Sequence, residues 1–446
     1  MAPMVRTQLA SAAEAQALAA RVASSFAKAS ALPTHVRARI LVEISQGIEK
    51  DAEAFAGLIT EEVGKPLKES RREVARAVFC FRWAAEECRR FGGELLPLDL
   101  EQASEGRLAL TRRFPRGPAL LIAPFNFPLN LVAHKVAPAI AVGAPFVLKP
   151  APQAPRTAER LGELILAAGW PAEAFAVVDC ANDVAETLAR DERFAILSFT
   201  GSANVGWHLK SVAGQKHVVL ELGGNAGVFV ASDADLAWAA ARCAWGAYYY
   251  SGQVCISVQR ILVEAPVYKE FKDLLLANIK ELKQGAPAEE TTDIGPLIDD
   301  KSADRVQQWI DEAVKAGGKV LAGGPRSGRT IPATLIENAP AGCKVSCEEA
   351  FGPVATIESV DSRERAYDKL ASGRYGLQAG VFTNDLRGVM AAWSRVPVGG
   401  LIVNDIPAYR SDAMPYGGVR DSGLGREGAR YAMQEFTEVR TLVLKP

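Results

Sequence analysis

From Leu120 to Val403 the chain repeats one pattern, a short β-prone run followed by a stretch with helical spacing of apolar residues. Runs at Leu120–Ile122, Phe146–Leu148, Ala176–Val178, Ile196–Phe199 and Val218–Leu220 alternate with helical stretches such as Leu131–Val142 and Thr157–Ala168. Parallel strands need long crossovers, usually helical, so this alternation predicts a doubly wound α/β sheet. A second series follows Gly224, with runs at Gly227–Val230, Arg260–Val263, Val354–Ile357, Gly380–Phe382 and Leu401–Val403. Its helical stretches are Tyr268–Leu282, Ser302–Ala316 and Leu386–Val396, which predicts a second α/β domain. Ahead of both, residues 11–27 and 34–92 read as helices, with Ile40, Leu41, Ile44 and Ile48 on one face. Leu108–Phe114 and Thr441–Leu444 read as strands outside the two series, and residues 285–292 and 322–330 as surface loops.

With 446 residues, 49% of them hydrophobic, the chain can fill two cores. Its 51 Lys and Arg balance 52 Asp and Glu, so no basic or acidic surplus points to nucleic acid or to an anionic membrane. Small molecules and further copies of the chain are the expected partners. No apolar run reaches membrane-spanning length, because Ala133–Leu148 contains Lys135 and is broken by Pro138 and Pro145. Seven cysteines, at 80, 88, 180, 243, 255, 343 and 347, are scattered and odd in number, and no secretory leader is evident. That usage suits a reducing cytoplasm. Cys343 and Cys347 lack a nearby His pair or second Cys pair, so no metal site is expected.

Three residues carry the chemistry. Cys255 in Gly252-Gln-Val-Cys-Ile-Ser257 is a thiol nucleophile, Glu221 in Leu220-Glu-Leu-Gly-Gly224 a carboxylate base, and Asn126 in Ala123-Pro-Phe-Asn-Phe-Pro128 an amide donor. A thiolate adds to a carbonyl, an amide N–H stabilises the oxyanion, and a carboxylate activates water to release the acyl group. Alone, a cysteine beside glycine reads as a small buried hydrophobe. The same chain also carries Val147-Leu-Lys-Pro150, Phe199-Thr-Gly-Ser202, Glu348-Glu-Ala-Phe-Gly-Pro353, Met414-Pro-Tyr-Gly-Gly418 and Ser422-Gly-Leu-Gly-Arg-Glu427. This ordered series resembles the NAD(P)-dependent aldehyde dehydrogenase superfamily from about residue 10 to the C-terminus. The run from Phe125 to Lys135 is most similar to its lactaldehyde and phosphonoacetaldehyde dehydrogenase branch.

The resemblance implies a cofactor-binding domain of residues 1–96 and 116–222, a catalytic domain of 223–421, and an oligomerisation arm of 97–115 and 435–446. It implies Cys255, Glu221 and Asn126 as the catalytic set, and homodimers or homotetramers. For the cofactor it implies Lys149, Gly201, Ser202, Glu349, Phe351 and Phe125. Gly201 lets the backbone approach, and Ser202 opens a helix whose free N–H groups favour phosphate. Gly423-Leu-Gly-Arg-Glu-Gly428 also fits a dinucleotide pattern, but too little chain follows it for a βαβ unit, so it reads as a turn. Pro152 stands where NAD-preferring relatives often place a ribose-binding glutamate, and Arg156 and Arg160 lie close by, so both NAD and NADP are candidates. Asn225 replaces the family's usual lysine, and the short strands with which many members begin are missing. That absence is expected to expose a sheet edge.

For the substrate pocket the resemblance adds Leu131, Tyr249, Val254, Ile256, Arg410 and Tyr416. Pro128 fits the first turn of a helix, and Asn130 and His134 then follow Asn126 at four-residue intervals along one face. An unneutralised Arg410 would fork onto a carboxylate or hydroxyl oxygens, although pairing with Asp405 or Asp412 is equally open, as is a satisfied core histidine at His134. The expected reaction is oxidation of a small polar or anionic aldehyde to its acid through a cysteine thioester. The alternatives are a coenzyme A-acylating dehydrogenase and a non-catalytic NAD(P)-binding or redox-sensing descendant of the fold.

Overall fold

The apolar face read at Ile40, Leu41, Ile44 and Ile48 is fully buried on helix Thr34–Lys50, where it packs against the long helix Leu67–Arg90. The computed structural model describes residues 9–445. Leu67–Arg90 in turn packs on helix Asn130–Val142, in which every residue is buried. That helix lies in the cluster that covers one face of the first sheet.

Across the first sheet the strands run Gly423–Leu424, His217–Glu221, Ile196–Thr200, Ala119–Ile122, Phe146–Lys149, Phe175–Val177. All pairs are parallel except the first. The second sheet runs Lys319–Ala322, Thr334–Glu337, Val354–Val360, Val258–Glu264, Ala226–Val230, Gln378–Phe382, Gly400–Val403, parallel but for its first pair. The two α/β series are therefore as expected, and strand ends differ from the sequence reading by up to three residues, as at Val354–Val360.

Two kinds of element escaped that reading. Helix Leu236–Tyr248 holds Ala and Trp around most of its circumference and shows no clear polar face. Strand Thr334–Glu337 is only four residues long and follows a loop. Both are recognised only by what they pack or pair with.

A third, antiparallel sheet joins Leu95–Pro97, Leu108–Pro115 and Thr437–Leu444, the last two in continuous register from Leu108↔Leu444 to Pro115↔Thr437. Leu95, Leu108, Leu110, Val439, Leu442, Val443 and Leu444 are exposed on it.

The first two sheets meet where the site forms. Glu221 ends a strand of one, Ala226 begins a strand of the other, and the short segment 222–225 carries the chain across. Gly224 permits that crossing, since a Cβ there would lie 2.5 Å from the carbonyl oxygen of Cys255.

Candidate active site

Cys255 follows a turn that three consecutive left-handed residues create: Tyr250 (φ 49°), Ser251 (φ 55°) and Gly252 (φ 68°). Such φ values strain Tyr and Ser and persist only where the surroundings over-determine them. Here Ser251 Oγ donates to the Gly295 carbonyl at 2.8 Å, and the fully buried Gln253 accepts from the Ile298 N–H at 2.9 Å. A Cβ on Gly252 would lie 2.2 Å from the Gly352 oxygen, so only glycine fits. The turn delivers Cys255 between buried Val254 and Ile256, its Sγ 3.1 Å from Tyr416 Oη. Burial pushes the thiol up to about 12, against the pull of the Tyr416 hydroxyl and Arg410.

Asn126 is buried, and its Nδ2 donates to the Gln253 carbonyl at 3.0 Å, which fixes the amide two residues from Cys255 with a second N–H left over. Its loop is pinned by Glu73, whose Oε1 accepts from the backbone N–H groups of Leu129 (2.8 Å) and Asn130 (3.1 Å). Lys65, fully buried, pairs with the other Glu73 oxygen and lies 3.7 Å over the Phe127 ring. Pro128 sits just ahead of helix Asn130–Val142 rather than inside it, although Leu131 N–H already bonds to the Phe127 carbonyl.

Glu221 is 3% exposed, and both carboxylate oxygens lack a hydrogen-bond partner among the described residues. Burial and the neighbouring Glu427 hold its pKa well above the carboxylate range, opposed by Arg410, Lys135 and Arg426. The sequence reading passed over the set that surrounds it. Lys135 Nζ donates to Glu427 Oε1 (3.1 Å) and Ser198 Oγ (3.0 Å), and Arg410 donates to Glu427 Oε2 (3.2 Å). Burial alone would raise Glu427, but Lys135 and Arg410 hold it low. Lys135 had a legible signal, a lone charge in a helix that is otherwise apolar apart from Asn130 and His134.

Two expectations for the pocket need correction. Arg410 is not unneutralised: Glu427 takes one Nη, and the guanidinium lies 3.7 Å above the Tyr416 ring. Asp405 pairs instead with Arg242, and Asp412 is 3.7 Å from Arg410 Nε, which has no hydrogen-bond partner. His134 likewise offers no free nitrogen, since Nε2 meets Asp412 at 2.7 Å and Nδ1 faces Cys80 Sγ at 3.9 Å. Burial lowers its pKa and keeps it neutral near pH 7. Asp412 is further clamped by Arg76 at 2.7 and 3.1 Å. Asn130 remains the open polar group, fully buried with both amide atoms unpartnered. Leu131 is buried beside it, and Tyr249 stacks on Trp245 with ring centroids 4.2 Å apart.

Along the carboxyl edge of the first sheet, Lys149 ends its strand 4% exposed, and its side chain makes no hydrogen bond or ion pair among the described residues. Burial lowers its pKa. Thr200 Oγ1 and Asp179 Oδ1 are also buried and unpartnered nearby. These orphaned groups fit a ligand rich in hydroxyls and phosphates. Gly201 and exposed Ser202 precede helix Ala203–Val212, whose first N–H groups the Ser202 side chain does not cap. Facing that edge, partly buried Glu349 accepts from Gly224 N–H at 3.1 Å and is pushed up to about 7 by burial. Phe351 (φ 47°) meets Phe125 edge to face at 5.9 Å. Pro152 is exposed. Arg156 and Arg160 form surface ion pairs with Glu61 (2.7 Å) and Asp51 (2.9 Å). Asn225 Nδ2 donates to the Glu348 carbonyl at 2.8 Å. Among the described residues no cluster of His, Cys, Asp and Glu could hold a metal, and no helix is long and apolar enough to cross a membrane.

Comparison with known proteins agrees with this geometry. Residues 2–442 match the family model described as "Aldehyde dehydrogenase family". A 3-sulfolactaldehyde dehydrogenase of Priestia megaterium is 43% identical over 409 residues, 92% of this chain and 86% of that protein. Aldehyde dehydrogenase 21 from Physcomitrella patens, solved with its reaction product succinate, superposes with a TM-score of 0.96 at 41% identity, covering 98% of this chain and 91% of that one. The glyceraldehyde-3-phosphate dehydrogenase GapN of Methanocaldococcus jannaschii, complexed with NADP, gives 0.95 at 35% identity over 99% and 96%. A match along nearly the whole length, on a fold whose two sheets bring a cysteine, an amide and a buried carboxylate together, makes the chain an oxidoreductase of the aldehyde dehydrogenase family.

Proposed function

We propose that this enzyme oxidises a small polar or anionic aldehyde to its carboxylic acid, with NAD or NADP as oxidant, through a thioester on Cys255. The observation that carries the reading is Glu221, a buried carboxylate that no protein group satisfies, beside the loop that bears the thiol. An unpartnered buried acid is destabilising unless a ligand or water uses it.

Cys255 Sγ adds to the carbonyl carbon, and the oxyanion is held by the spare N–H of Asn126 and the backbone N–H of Cys255. Lys149, the helix start at Ser202, and Glu349 would hold the cofactor, with Phe125 and Phe351 beside the ring. The nicotinamide, when bound, accepts the hydride that converts the adduct into a thioester. Glu221 then takes a proton from the water that attacks the thioester, and the acid leaves with Cys255 restored as thiolate. Arg410, Lys135 and Arg426 favour the ionised Glu221 that this step needs.

Asn130, whose amide has no hydrogen-bond partner among the described residues, and Arg410 Nε, which meets Asp412 at 3.7 Å without a hydrogen bond, support a substrate that carries oxygen acceptors. The relatives that act on sulfolactaldehyde or hold succinate agree with an anionic one. The exposed apolar strands of the third sheet support self-association as a homodimer or homotetramer.

The test is reduction of NAD and of NADP by the purified protein with lactaldehyde, glycolaldehyde, succinic semialdehyde and 3-sulfolactaldehyde, without coenzyme A. Turnover with release of free acid is expected. Activity only in the presence of coenzyme A, or with none of these aldehydes, would overturn the proposal.

A further inference from the structure

We propose that the Tyr416 hydroxyl is a catalytic hydrogen-bond donor to the Cys255 sulfur, which stabilises the thiolate in free enzyme and again as it departs from the thioester. The inference rests on Cys255 being the nucleophile. Its basis is a contact of 3.1 Å between Oη and Sγ at a tyrosine that is itself 3% exposed. A packing ring would need no oxygen there.

The phenol is held from three sides. Tyr416 N–H donates to the Glu427 carbonyl (3.0 Å), and Glu427 N–H donates back to the Tyr416 carbonyl (2.7 Å), so the backbone on either side is locked. Gly417 follows at φ 153°, where a Cβ would lie 2.7 Å from Glu221 Oε1. The Arg410 guanidinium stacks 3.7 Å from the ring centroid, fixed in turn by Glu427.

The chemistry permits one polarity only. A thiolate has no proton, so toward it the hydroxyl must donate. Burial holds the phenol well above its ordinary pKa, and it keeps its proton throughout. The cation over the ring draws electron density from the phenol and makes the O–H a stronger donor. Hydrogen bonds to a charged acceptor are also the stronger kind. The other charged groups that face the thiol are Glu349 and Glu221, which disfavour the thiolate, and Arg410, which favours it. Tyr416 is therefore the neutral group that offsets two carboxylates at the sulfur.

The experiment alkylates the full-length enzyme with iodoacetamide across neutral to alkaline pH, without aldehyde or cofactor, and follows the Cys255 peptide by mass spectrometry. Tyr416→Phe keeps the ring and removes only the oxygen. Its apparent thiol pKa should rise by about one to two units, with alkylation near neutrality about tenfold or more slower. Replacement of Tyr416 by 3-fluorotyrosine, a more acidic phenol, should shift the profile the opposite way. Profiles that superimpose on wild type, or Tyr416→Phe alkylating faster, would overturn the proposal. Failure of the mechanism itself reads out separately, as retained dehydrogenase turnover in Cys255→Ala.

Discussion

Glu73→Gln tests how the catalytic loop is anchored. Neither Lys65 nor Glu73 has any solvent exposure, and Glu73 also takes the two N–H groups that begin helix Asn130–Val142. The amide is isosteric, so the loss is electrostatic. Burial already lowers the Lys65 pKa, and Glu73 is the principal group that opposes the shift. Without Glu73, Lys65 must stay charged and unpaired or give up its proton on folding. Neutralising a lysine of ordinary pKa about 10.4 at pH 7.5 costs ~4 kcal/mol, at about 1.4 kcal/mol per pH unit. That falls within the ~3–5 kcal/mol typical of a broken buried pair. In the variant the unfolded chain binds one more proton than the folded one, so variant stability must climb with pH up to the lysine's unfolded pKa. The deficit relative to wild type should therefore shrink by about 1.4 kcal/mol for each unit above pH 7.5. Urea unfolding of both proteins across that range measures it. A deficit below about 1 kcal/mol, or one that stays constant with pH, would refute the reasoning.

Glu221→Gln should leave a stoichiometric burst of reduced cofactor and lower steady-state turnover by about 10²–10⁴-fold, seen by stopped-flow absorbance. In wild type, where burial raises Glu221, a hydrolysis-limited kcat should increase with pH as the carboxyl ionises; a flat profile with a persistent burst would count against Glu221 as base. Asn126→Ala should reduce kcat by about 10²–10³-fold in steady-state assays, as expected for an oxyanion donor, and a change confined to KM would exclude that role. Lys149→Met should weaken NAD(P) binding by roughly tenfold or more in equilibrium dialysis while stabilising the free enzyme in thermal melts, because it removes an unpaired buried cation. Unchanged binding would remove Lys149 from the cofactor site.

The two α/β series were legible because each strand is a short buried run bounded by helical periodicity, a property of neighbouring residues. Helix Leu236–Tyr248 was not, since an element apolar on most sides shows no face until its surroundings are known. In the site, the positions of Cys255, Glu221 and Asn126 were readable from motifs, and the structure brings their loops together at the junction of the two sheets. The state of the charges was hidden. Arg410 read as either free or paired with Asp405 or Asp412, because Glu427, which accepts its hydrogen bond, lies across a turn whose pairing only folding creates. His134 read as lining the pocket, yet Asp412 and Arg76, from distant parts of the chain, hold it in place.

The sequence by itself determined which chemical groups this protein owns and the alternation that winds them into two sheets, because periodicity, glycine placement and side-chain type are local. Tertiary structure alone decided which cations are spoken for, which carboxylate stays unsatisfied, and that a tyrosine hydroxyl touches the Cys255 sulfur. Burial and pairing depend on residues far apart in the chain, 336 positions in the case of Arg76 and Asp412. Their energies are set by a desolvated interior that no stretch of sequence contains.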